Sequence, residues 1–176
     1  MAEPHPWPQQ LPATRRIVLA QADLDDTRLM PAWQRYDGAF YRAAGAGLEE
    51  AAQAGRLLIL SGGYGLLEGT EPIGTYDRVM NLRDWPGNLL EDLLEDRSRG
   101  SGLDVVAFAA TSTGYAKLLR RVQWSVPSGR RVVLVRVSGL RGTSVVSRSL
   151  GQAFRAFQTG NPGDFPSETV VERLSA

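Results

Sequence analysis

Short unbroken apolar runs alternate along this chain with stretches in which apolar residues return every three or four positions. The runs fall within Arg16-Ile17-Val18-Leu19-Ala20, at Leu57-Leu58-Ile59-Leu60, and over residues 103–109 and 132–137. Runs of this length between turn signals predict buried strands. Over residues 31–54, Trp33, Tyr36, Phe40, Ala44, Leu48 and Ala51 keep helical spacing, with Pro31 in the first turn and Gly55 as the stop. Gly45 and Gly47 each cost about 1 kcal/mol relative to Ala, so a bend is expected in that helix. Leu89, Leu90, Leu93 and Leu94 predict a short helix over 88–97 with Glu91, Asp92, Glu95 and Asp96 outward. A further helix carries Leu118, Leu119 and Val122, and a last one Val146, Leu150, Phe154 and Phe157 before Gly160-Asn161-Pro162-Gly163 ends it.

Strands alternating with helices imply parallel strands joined by right-handed crossovers. The expected fold is therefore α/β, a single layered domain with a mostly parallel sheet flanked by helices. A disordered Pro-rich arm is expected over 1–14, the α/β domain over 15–160 and a loosely attached tail over 161–176. The arm has four prolines in its first twelve residues and no apolar run, which predicts neither a signal peptide nor a helix. At 176 residues and 43% apolar content, one domain with a real core fits the length. No stretch approaches the length of a membrane span, and a soluble cytoplasmic protein without membrane partners is expected.

Composition narrows the chemistry. The chain has no Cys, which excludes disulfides, thiolate nucleophiles and Cys-ligated metals. Its only His is His5, in the arm, so His-based catalysis and metal binding have almost nothing to draw on. Neither a metal nor a cofactor is expected. Residues 1–96 carry 8 Arg against 15 acidic residues, and residues 97–176 carry 12 basic residues against 4 acidic ones. That split fits complementary surfaces within the fold, or a basic face for an anionic ligand. Arg outnumbers Lys 19 to 1, and Lys117 is the single Lys. A compact ammonium and a planar guanidinium are not equivalent in a tight site.

Three segments could carry chemistry. Ser61, Gly62, Gly63 and Tyr64 follow a strand and form a glycine turn that lets the backbone approach a ligand closely; the plainer reading is a structural turn. The spacing is neither a dinucleotide fingerprint nor a Walker loop. It is similar in part to the Pro-Gly-Gly-x-Gly-Thr-x-x-Glu loop of cytokinin-activating phosphoribohydrolases, with Ser61 for the Pro, Leu66 for the Thr and Gly69 for the Glu. Thr111, Ser112, Thr113 and Gly114 follow a strand and open a helix. Their hydroxyls and free N–H groups suit an anion, with Lys117 one turn on, and ordinary N-capping is the plainer account. Glu71, Tyr76 and Asp77 lie in the loop after the glycine turn, where catalytic residues are often held and where solvated surface loops also occur. Without His or Cys, proton transfer falls to carboxylates, Tyr, Lys117 or water.

The run Ile59-Leu60-Ser61-Gly62-Gly63-Tyr64-Gly65-Leu66-Leu67, with Glu71, Pro72, Tyr76 and Asp77, resembles the Leu-Ser-x-x-Tyr-Gly-Leu-Leu…Pro-Tyr signature of the YaaA-like superfamily. That group contains a bacterial peroxide-stress protein and a branch of uncharacterised domains. Tyr36-Asp37-Gly38-Ala39-Phe40 and Gly139-Leu140 with its following helix extend the likeness over about residues 16–158. Where many relatives end strand one with Cys-Ser-Lys-Lys, this chain has Gln21-Ala22-Asp23-Leu24. For the peroxide-stress protein, the resemblance implies DNA binding and protection from peroxide.

The functional expectation is a nucleotide- or nucleoside-like anionic ligand, with Tyr64 stacking on a base and Thr111, Ser112, Thr113, Gly114 and Lys117 holding phosphate. Glu71 or Asp77 would act as general base or stabilise a developing cation, with hydrolysis of an N-glycosidic bond as the most specific version. This requires the glycine–tyrosine turn and the hydroxyl loop to share one rim of the sheet. The alternative is a non-catalytic nucleic-acid-binding protein of the oxidative-stress response, using Arg120, Arg121, Arg130, Arg131, Arg136, Arg141, Arg148 and Arg155 as a basic face.

Overall fold

The computed structural model describes residues 7–125, 127 and 129–175. In chain order its elements are α1 (Gln10–Leu19), β1 (Asp25–Pro31), α2 (Ala32–Arg35), α3 (Ala39–Ala44), α4 (Gly47–Gln53), β2 (Leu58–Ser61), β3 (Gly65–Glu68) and β4 (Pro72–Thr75). There follow α5 (Leu89–Ser101), β5 (Val105–Phe108), α6 (Gly114–Arg121), β6 (Val132–Val137), α7 (Thr143–Thr159) and β7 (Thr169–Arg173), with short 3-10 turns at Leu82–Asp84 and Pro162–Asp164. The chain divides into two compact units, 1–36 with 49–90 and 37–48 with 91–176.

The expected single layered domain with a mostly parallel sheet is not what forms. The strands make three small sheets, ordered β1-β4, β2-β3 and β5-β6-β7. Only β5 and β6 run parallel; the other three pairings are antiparallel. A parallel pair needs a crossover of a dozen or more residues, which β5 and β6 have through α6. Between β2 and β3 there are only Gly62, Gly63 and Tyr64, and a three-residue loop closes a hairpin instead. Gly65 follows at φ +72°, the left-handed residue such a loop calls for.

In the first unit, the expected strand at Arg16-Ile17-Val18-Leu19-Ala20 is the second half of helix α1. Leu11, Thr14, Arg15, Val18 and Leu19 are buried, a spacing of three and four that only a helix can place on one face. Ile17, which a strand would bury with Leu19, is 66% exposed. Pro12 sits in the first turn, where its missing N–H costs nothing, so the proline-rich segment still opens a helix. The helix expected over 31–54 breaks into α2, α3 and α4, with Gly45 at φ +63° ending α3. Leu11, Leu66, Leu67, Ile73 and Leu90 are among the unit's most deeply buried side chains.

In the second unit, α7 packs on the three-stranded sheet through Phe154, whose ring meets Phe108 at 5.3 Å and Phe40 at 5.9 Å. Leu118, Val132, Leu134 and Ala153 fill the interior around them. The segment expected to be a loose tail contributes β7, which pairs antiparallel with β6 from Val133↔Arg173 to Val137↔Thr169. Of the arm expected to be disordered, residues 1–6 lie outside the described residues.

Candidate functional site

Gly62 and Gly63 are buried at the bend of the β2–β3 hairpin. A Cβ on Gly62 would stand 2.2 Å from the Arg78 carbonyl oxygen, and one on Gly63 2.7 Å from the Tyr76 ring. What comes close to this glycine backbone is the protein itself. Ser61 is 1% exposed, and its Oγ accepts the Tyr64 N–H at 3.0 Å. The same oxygen lies 2.6 Å from the Tyr76 hydroxyl, which lies 2.9 Å from that of Tyr36. The Tyr64 ring meets Tyr76 edge-on at 5.4 Å and has the Arg15 guanidinium 5.9 Å from its centre. Its hydroxyl accepts the Gly74 N–H at 3.0 Å. Burial pushes the Tyr64 phenol above its ordinary pKa, with the Gly74 hydrogen bond pulling the other way.

Glu71 anchors this unit's buried cation. Its Oε1 takes Arg15 Nη1 at 2.5 Å, while Oε2 takes the Trp7 indole N–H at 2.9 Å and the Glu68 N–H at 3.3 Å. Arg15 also donates from Nε to the Tyr64 carbonyl at 2.7 Å and from Nη2 to that of Leu66. Both oxygens of the carboxylate are thus engaged by the fold. Asp77 is exposed, and its backbone N–H donates to the Ala22 carbonyl at 2.9 Å.

In the second unit, Thr113 caps α6 by accepting the Ala116 N–H at 3.3 Å and donates its own proton to the Ala110 carbonyl at 2.8 Å. The capping account of this loop therefore holds. Thr111, Ser112 and Lys117 are exposed, and Gly114 begins the helix. The glycine–tyrosine turn belongs to the β2-β3 sheet and the hydroxyl loop follows β5 of another sheet, so no common sheet rim exists for them to share.

A different group of residues does converge within the second unit. A Cβ on Gly151 of α7 would stand 2.2 Å from the Phe40 carbonyl oxygen, so its absence lets α3 lie directly against α7. Beside that contact is an open concavity of about 290 Å³ lined by Ala39, Arg42, Ala43, Arg148, Gln152 and Arg155. Arg148, Gln152 and Arg155 follow one another at helical spacing along the exposed face of α7. Arg42 reaches the same space from α3, its Nη1 donating to the Asp37 carbonyl.

Half of the expected basic face is spent elsewhere. Arg120 and Arg136 both pair with Glu172, at 2.8 and 3.2 Å, Arg121 pairs with Glu91 at 2.9 Å, and Arg131 with Asp104 at 3.0 Å. Arg42, Arg148 and Arg155 have no carboxylate partner among the described residues. Compared with known protein families, curated proteins and solved structures, the chain matches none of them. The three arginines therefore stand on geometry. Arg148 and Arg155 were among the cations singled out from sequence, whereas Arg42 and Gln152 were not. The spacing of residues 148, 152 and 155 was a visible signal for Gln152; nothing local pointed to Arg42.

Proposed function

We propose that this chain binds a phosphate-bearing, nucleotide-like anion, and that Arg42, Arg148 and Arg155, with Gln152, contact its phosphate. The observation that carries this reading is that three arginines line one concavity whose lining holds no carboxylate. A permanent, planar cation with a fork of donors is the side chain best matched to phosphate oxygens. The groups come from two packed helices, which hold a binding geometry better than loops do.

The reading is one of binding. Glu71 is committed to Arg15, Trp7 and backbone, and a carboxylate paired with a buried guanidinium is a weak general base. Titrating the full-length chain with a fluorescent nucleotide and with the matching nucleoside tests the proposal. The nucleotide should bind, and the nucleoside should bind at least tenfold more weakly. Replacing Arg148 by Gln should weaken nucleotide binding by about tenfold, the worth of one charge-assisted hydrogen bond. Equal binding of nucleoside and nucleotide, or an unaffected variant, removes the reading.

A further inference from the structure

Resting on that reading, we infer that the arginine concavity takes a linked diphosphate, held through its phosphates rather than through whatever they are attached to. The first argument is charge. A phosphate monoester carries about −1.5 to −2 at neutral pH, and a second linked phosphate brings the total to about −3. Three arginines line the site and no acid offsets them, so a diphosphate balances them and a single phosphate leaves a surplus.

Space and span agree with charge. The concavity of about 290 Å³ has room for a diphosphate as well as for a single phosphate. Arg148 and Arg155 are seven residues apart on one helix face, which separates their backbones by about 10 Å along the axis. Two linked phosphates span more of that length than one does and offer more oxygens for three arginines to share. The lining residues are three arginines, one glutamine and two alanines, and the polar side chains among them are of types that suit a phosphate oxygen.

Displacement of a fluorescent nucleoside diphosphate from the full-length chain by orthophosphate, AMP, ADP, pyrophosphate and a short single-stranded oligonucleotide tests the inference. ADP and pyrophosphate should compete alike, each at least tenfold better than AMP or orthophosphate. The double variant Arg148→Gln/Arg155→Gln should lose the preference, and the control Arg131→Gln/Arg141→Gln, which removes as much charge elsewhere, should keep it. If AMP competes as well as ADP and the first variant loses both, the inference fails and the reading beneath it stands. An oligonucleotide that outcompetes pyrophosphate at equal phosphate concentration overturns it, as does equal weakening by the control. A probe that does not bind at all defeats the reading and the inference together.

Discussion

Arg15 organises the polar interior of the first unit, and its role follows from how many acceptors it serves. At 8% exposure it donates to two carbonyls and to Glu71, so its removal strands all three. Arg15→Met should destabilise the chain by about 1–3 kcal/mol in urea unfolding, because it leaves buried carbonyls and a half-buried carboxylate without their donor. A loss below about 0.5 kcal/mol would mean that water replaces the guanidinium freely. Glu172 offers a test by pH. Hydrogen bonds from Arg120, with the charges of Arg120 and Arg136, hold its carboxyl below the ordinary value. A carboxyl depressed by folding stabilises above its unfolded pKa, and that contribution is lost as pH falls through the lower folded value. Wild type should therefore melt slightly above Glu172→Gln near neutral pH, and the two should converge below about pH 4. The difference should be small, since the pair is partly exposed and screened.

Among the elements, the contact between α3 and α7 decides whether the arginines meet. Gly151→Ala puts a methyl group into the Phe40 carbonyl, so the helices must separate. It should cost about 1–3 kcal/mol of stability, as overpacking does. Phosphate binding should weaken as well, although no arginine is changed. Unfolding and titration of one preparation check both effects. At α6, Thr113→Ala should cost about 1 kcal/mol through loss of its cap, with phosphate binding unchanged. Elements with a strong local signature were readable from the chain: β6, the core of β5, α5, α6 and α7 lie where the apolar pattern put them. The run at 16–20 reads as a strand by itself because a helix and a short apolar strand look alike over five residues. The buried Leu11 and Thr14 upstream decide the matter, and the prolines around them masked the pattern. β7 was missed because Val170 and Val171 have no long apolar run around them, and β6 supplies the pairing.

For the whole chain, the two units redistribute charge in a way that chain order concealed. The first unit has 7 Arg against 10 acidic residues, and the second 13 basic residues against 9. The acidic helix α5 joins the basic C-terminal part, where Glu91 neutralises Arg121. The apparent split into strongly acidic and basic halves shrinks accordingly, and Arg42, Arg148 and Arg155 belong to the unit that keeps a positive surplus. Affinity for a phosphate ligand should then fall by about a fewfold between 0.05 and 0.2 M salt, because salt screens the exposed arginines of the site. Titrations at the two concentrations check this. No helix among the described residues is long and apolar enough to cross a membrane. Hydrophobic period, glycine turns and caps act over a few residues, and these located most helices, the strand at Leu58–Ser61 and the bend at Gly62 and Gly63 directly from the amino-acid order. Strand pairing and the fate of each charge depend on residues far apart in the chain, such as Arg120 with Glu172, Arg15 with Glu71, and Phe40 against Gly151. A sheet direction or an unpaired arginine is a property of such long-range contacts, and only folding brings them together.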